Sequence, residues 1–215
     1  FLKPLAREKA IAKTDIENEE LDLHFQPIVD IETACIAGLE ALVRWQHPQR
    51  GLLMPSRFIS IAEETGLILP LGHHVMETAC RDIKNLNSRL ADPVTVAVNL
   101  SPLQFAQADI LDEVLGVLEK TGLPPARLEL EITETIMMTD LTATVDRLDI
   151  FKAEGLSIAI DDFGTGYSSL YYLKIFPIST LKIDQSFIRD ICDDQVDAQI
   201  VETIILMAKN LGLKV

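Results

Sequence analysis

Five oxygen-bearing side chains and one lysine stand at the ends of strand-like runs: Glu40, Asn99, Glu131, Asp161, Asp162 and Lys182. The stretch LSIAIDDFGTG (156–166) poses the chemical question most sharply. An apolar, β-branched run reads as a buried strand, yet it ends in two adjacent aspartates and a glycine-rich turn. Neighbouring carboxylates repel, and burying them is costly unless a metal, a lysine or arginine, or solvent neutralises them. Carboxylates and an amide oxygen are hard ligands suited to Mg²⁺ or Mn²⁺, and the His/Cys set that zinc favours is missing from these positions. Adjacent aspartates can serve two ions, Asp161 bridging and Asp162 on the second. Such pairs clamp the attacking and leaving oxygens of phosphoryl chemistry.

Lys182 leaves three roles open. It could form a Schiff base, orient or deprotonate a water, or neutralise the surrounding acids. A ring of carboxylates favours the charged ammonium, which places water activation ahead of Schiff-base chemistry. Arg44 shares a strand face with Glu40, and its guanidinium suits either a phosphate oxygen or a nearby acid. His47, His73 and His74 fall outside the strand ends and read as surface or packing residues. The DDFGTGYSSL segment lacks the lysine-serine/threonine ending of a phosphate-binding P-loop. It reads either as a turn with a helix cap or as a mobile loop.

The elements that must position these residues alternate. Strand-like runs occupy 21–29, 36–45, 94–101, 128–134, 156–162 and 180–185. Helical patterns end at Gly66, Gly122 and Gly155, each suited to the left-handed position after a helix; others span roughly 71–89 and 195–210. The first two strands are joined by too short a turn for a crossover and should pair antiparallel. After them the strand–helix rhythm implies a parallel sheet or a TIM-like barrel. Side chains alternate along strands, so Glu40, Asn99, Glu129, Glu131, Asp161, Lys182 and Asp184 fall on polar faces, opposite apolar ones. In a barrel those polar faces point inward, and sites form at the strands' carboxyl ends. A closed (β/α)8 barrel has eight strands. The final LGLKV looks like the beginning of a seventh here, so the chain is either an open sheet or a barrel whose last strands lie outside this sequence.

Composition narrows the partners. The 215 residues are 48% hydrophobic, enough for one sizeable core. A net charge of −14 argues against binding DNA or RNA polymers through a basic surface. Three widely spaced cysteines form neither a zinc motif nor a disulfide framework, which suits a reducing, cytoplasmic compartment. No apolar run approaches a membrane span, although the chain opens at Phe1 and leaves room for an anchor elsewhere in a longer parent. Residues 1–17 read as a helical lead-in and 18–215 as the barrel.

These residues resemble the EAL-domain family of bacterial cyclic di-GMP phosphodiesterases. The resemblance is carried by Glu40-Ala41-Leu42, by QPIVD (26–30), RWQHP (44–48), AEETGLI (62–68), VNLSP (98–102), LELEITE (128–134), DDFGTGYSSL (161–170) and LKIDQSFI (181–188). It implies a TIM-like barrel with an antiparallel first strand, and metal-dependent hydrolysis of cyclic di-GMP to linear pGpG. By motif, Glu40, Asn99, Glu131 and Asp161 look like metal ligands, with Asp162 serving a second Mg²⁺ or Mn²⁺. Lys182 looks like the residue that orients or activates water, and Glu134 like the acid that holds the DDFGTG loop. Gln26, Leu42, Arg44 and Asp184 look like substrate contacts. The family continues past LGLKV with a strand ending in EGVE and a later QG motif, the first supplying a further glutamate. A homodimer is expected, with sensory or cyclase domains elsewhere in the parent. The competing reading is a receptor that binds cyclic di-GMP without cleaving it.

Overall fold

A computed structural model describes residues 20–138, 141–164 and 170–215. The helical lead-in expected over 1–17 lies outside the described residues. The chain forms two compact units, one ending at Leu123 and the other beginning at Pro124.

In the first unit, β1 (Leu21–Val29) and β2 (Ile36–His47) form the expected antiparallel pair. The turn between them closes on Asp30, whose carboxylate accepts from the Thr33 amide and hydroxyl, both at 2.8 Å. These two bonds hold the Asp30 carboxyl below its usual range. A short strand, β3 (Gly51–Leu53), folds back on β2 and was not anticipated. β4 (Thr95–Asn99) runs parallel to β2, with Glu40 opposite Ala97. The helices α1 (Ile59–Thr65), α2 (Ile68–Asn87), α3 (Pro102–Phe105) and α4 (Ile110–Thr121) belong to this unit. Gly66 and Gly122 end α1 and α4 in the left-handed conformation, as their spacing predicts.

The apolar faces meet in a core that includes Val96, Val98, Leu71, Met76, Ala79, Ile83 and Val114, all but removed from solvent. Trp45 sits edge-on to Phe58 with ring centroids 5.8 Å apart. His47 corrects the sequence reading. It is the last residue of β2 rather than beyond it, is buried against Trp45, and accepts at Nδ1 from the Gln49 amide. On the outer surface His73 and Lys120 pair with Glu113 and Glu77, tying α2 to α4.

In the second unit, β5 (Leu128–Thr133), β6 (Ser157–Phe163) and β7 (Thr180–Ile183) are parallel neighbours in that order. The connections carry α5 (Leu141–Ala153) and α6 (Leu170–Ile175); α7 (Gln185–Arg189) and α8 (Gln195–Asn210) follow. Leu128, Leu130, Ile132, Ile158, Ile160 and Leu181 are buried, as are Leu148 and Phe151 of α5. The opposite parity carries Glu129, Glu131, Ser157, Ala159, Asp161, Thr180 and Lys182. β7 stops two residues short of the expected 185. Asp184 leaves the strand to cap α7, its carboxylate accepting from the Ser186 amide at 2.8 Å. Beyond α8, Lys214 bridges Thr180 in parallel, so the LGLKV segment does begin to run along β7.

One close approach in the first unit is diagnostic. Gln104 is buried, accepts from the Ser101 hydroxyl at 3.0 Å, and lies over Gly72 of α2. A Cβ at Gly72 would stand 1.9 Å from Gln104 Nε2, whereas a Cβ at Gly116 on α4 meets open space. Gly72→Ala is therefore expected to cost about 1–3 kcal/mol through overpacking. Gly116→Ala should stabilise by roughly 0.5–1 kcal/mol as an ordinary helix substitution. Urea unfolding of both variants checks this; shifts of the same sign would contradict the close approach.

Candidate functional site

In the first unit the antiparallel register aligns Gln26 with Glu40, His24 with Leu42 and Asp22 with Arg44. Gln26 and Glu40 are thus cross-strand neighbours, and Glu40, Leu42 and Arg44 share one face of β2. Asn99 closes β4, and its Nδ2 donates to Glu40 Oε1 at 3.0 Å. That bond leaves the Asn99 Oδ1 and the Glu40 carboxylate side by side, two hard oxygen donors from adjacent parallel strands. The Arg44 guanidinium donates to the Val43 carbonyl at 2.9 Å. The capping box of α3 secures the turn after Asn99: the Gln104 amide donates to Ser101 Oγ, and Gln104 Oε1 accepts from the Ser101 amide.

In the second unit Lys182 is the centre of the polar face. Its Nζ donates to Glu131 Oε2 at 2.6 Å and forms an ion pair with Asp161 Oδ1 at 3.2 Å. The Glu131 side chain is fully enclosed, while Lys182 and Asp161 keep about a quarter and a fifth of their side-chain surface. An ammonium is thus the counter-charge that makes two carboxylates on neighbouring strands tolerable.

β6 ends irregularly. Asp162 adopts φ +53, a left-handed conformation uncommon outside glycine, and the register with β7 shifts between Ile160 and Phe163. The Asp162 carboxyl lies near enough to Asp184 to feel its charge. Desolvation, then the charges of Asp161 and Asp184, push the Asp162 carboxyl above its ordinary range. Asp184 is held below its own by hydrogen bonds from the Ser186 hydroxyl and amide. Gly164, at φ +104, begins the glycine-rich loop, and a Cβ there would come within 2.8 Å of the Phe187 ring on α7. The loop beyond it, 165–169, lies outside the described residues.

Glu134 opens a 3-10 turn directly after β5. It is buried, and neither carboxylate oxygen has a hydrogen-bond partner among the described residues. The second unit thus gathers Glu131, Asp161, Asp162, Lys182 and Asp184 at neighbouring strand ends. The first gathers Gln26, Glu40, Leu42, Arg44 and Asn99 on its own sheet. Sequence reasoning missed the partners that hold these residues. The Ser-x-x-Gln spacing of 101–104 would have signalled the capping box. The small Ala159, between two polar strands, would have signalled that side chains cross over β6.

An EAL domain model matches residues 9–215. MucR of Pseudomonas aeruginosa, a bifunctional diguanylate cyclase/cyclic di-GMP phosphodiesterase, is 46% identical over 201 residues, covering 93% of this chain and 29% of MucR. The cyclic di-GMP phosphodiesterase NbdA of the same organism is 44% identical over 200 residues, covering 93% of this chain and 26% of NbdA. A solved structure of the PaMucR phosphodiesterase in complex with c-di-GMP superimposes with a TM-score of 0.89 at 44% identity, covering 93% of this chain and 81% of that one. The chain spans about a quarter to a third of the length of the curated relatives it matches. The fold class is the α/β, TIM-like type with an antiparallel first strand expected from the sequence, and its sheet is not closed. By this similarity over nearly its whole length, the chain belongs to the EAL domain family.

Proposed function

We propose that the chain hydrolyses one phosphodiester bond of cyclic di-GMP, giving linear pGpG. The observation that carries this reading is the Lys182 ammonium seated between Glu131 and Asp161, in a chain whose relatives include named cyclic di-GMP phosphodiesterases. The donor chemistry fits divalent cations. Glu131, Asp161 and Asp162 offer only carboxylate oxygens, and Glu40 with Asn99 offers a carboxylate and an amide oxygen, a set that suits Mg²⁺ or Mn²⁺ over zinc. Glu40, Asn99, Glu131 and Asp161 would hold one ion and Asp162 a second. When bound, such ions neutralise phosphate charge and favour hydroxide over water.

The remaining roles belong to the protein's own side chains. Lys182, on a strand and pinned by two carboxylates, orients the attacking water by hydrogen bonding. The water oxygen bonds to phosphorus, the P–O3′ bond breaks, and the 3′ oxygen leaves with a proton, so the phosphate stays on the 5′ side. Arg44 offers a guanidinium to phosphate oxygens. Gln26, Leu42 and Asp184 contact the dinucleotide. Glu134, buried without a partner among the described residues, holds the DDFGTG loop. The reading extends to a homodimer in the bacterial cytoplasm. Sensory or cyclase domains elsewhere in the parent are supported by the fraction of its relatives that the chain covers. Among the described residues no helix is long and apolar enough to cross a membrane.

The test is incubation of the full-length protein with cyclic di-GMP and Mg²⁺ or Mn²⁺, with chromatography of the products. Appearance of pGpG is expected, with a fall of at least about 100-fold in kcat for both Asp161→Asn and Lys182→Ala. Tight binding of cyclic di-GMP with no product would replace the enzyme reading with a receptor. A second outcome concerns stability. In metal-free buffer Lys182→Met should be less stable than the wild type by roughly 1–3 kcal/mol near pH 7, because the enclosed carboxylates lose their cation. Urea unfolding reads it, and wild-type stability in Lys182→Met would contradict the pairing.

A further inference from the structure

Glu129 lies on the polar face of β5, two residues before Glu131, and no part of the proposed chemistry uses it. Its Oε2 accepts from the Thr180 hydroxyl at 2.7 Å. Thr180 lies on β7, two residues before Lys182. β5 and β7 are not neighbours, because β6 runs between them, so their backbones stand about 10 Å apart. Two hydrogen bonds nevertheless span that gap with the same stagger: Glu129 to Thr180, and one step further along, Glu131 to Lys182. The register explains how. Ala159 of β6 is aligned with Glu131 on one side and Thr180 on the other, and its side chain is a fully buried methyl group. Both bonds pass over this small residue.

We infer that Glu129 and Thr180 are positioning residues for Lys182. The proposal rests on the phosphodiesterase reading for its kinetic consequence, though not for its geometry. A lysine reaches its target on a flexible four-carbon stem, so the direction of its ammonium depends on where its strand is held. Threonine is stiff at χ1, and a hydroxyl donating to a carboxylate makes a strong, short bond. The Glu129–Thr180 bond therefore fixes β7 against β5 immediately below Lys182. The longer side chain above then meets Glu131 and Asp161 without searching.

The test compares Thr180→Val, which removes the hydroxyl at nearly constant shape, Glu129→Ala, and Glu129→Gln, whose amide oxygen can still accept. In the full-length protein, Thr180→Val and Glu129→Ala should lower kcat about tenfold or more with KM for cyclic di-GMP unchanged. Glu129→Gln should restore most of the loss. In a Lys182→Ala background neither should lower the residual rate further. The second readout needs no turnover. In ¹⁵N-lysine-labelled protein at low temperature, the Lys182 ammonium resonance, identified by its loss in Lys182→Arg, should be present in the wild type and Glu129→Gln and lost in Thr180→Val and Glu129→Ala. An unaltered resonance in Thr180→Val and Glu129→Ala would overturn the inference, as would wild-type kcat in both or a further loss in the Lys182→Ala background. A wild type that makes no pGpG would instead overturn the phosphodiesterase reading, and the resonance would still decide the positioning role.

Discussion

A single ammonium, 2.6 Å from one carboxylate and 3.2 Å from another, is the interaction on which the polar face of the second unit depends. Glu131 is almost wholly removed from water, and an isolated carboxylate there would be neutralised or would destabilise the fold. Lys182 resolves this without filling the space with apolar atoms. The carboxylates are held close together, as the ligands of a divalent cation must be. The arrangement also has a structural cost that the sheet absorbs. It needs a strand of small residues at its centre, supplied by Ser157 and Ala159, and a second bond between the outer strands, supplied by Glu129 and Thr180.

The end of β6 shows a second way of handling crowded acids. Asp161 faces Lys182, whereas the Asp162 carboxyl, on a left-handed backbone, lies near Asp184. Burial and the charges of Asp161 and Asp184 push the Asp162 carboxyl up, whereas hydrogen bonds from Ser186 hold Asp184 down, so the two acids are driven apart. Asp184 serves at the same time as the cap of α7, and α7 brings Phe187 against Gly164. Strand end, helix cap and loop start are therefore mechanically one object.

Much of this was legible before any coordinates. Strand alternation alone put Glu40, Asn99, Glu131, Asp161 and Lys182 on polar faces. The glycines at 66 and 122 marked helix ends because only an achiral residue takes that backbone cheaply. Other features were hidden for physical reasons. The β3 strand is three residues long and has no periodicity to read. β7 ends early because a side-chain cap at Asp184 outcompetes continuation of the ladder, and propensity does not encode that contest. The pairing of Glu129 with Thr180 is a contact between non-adjacent strands, and only the register reveals it. His47 reads as lying outside the strand end because its strand partner, β3, is too short to recognise in the sequence.

The central claim is that the carboxylates gathered around Lys182 are held ready for a divalent cation. It is tested most directly by titrating Mn²⁺ into the full-length protein and following the free ion by electron paramagnetic resonance. The account predicts saturable uptake in the wild type and in Lys182→Ala, and loss of that uptake in Glu131→Gln. Uptake of the same strength in Glu131→Gln, or none in the wild type, would contradict it.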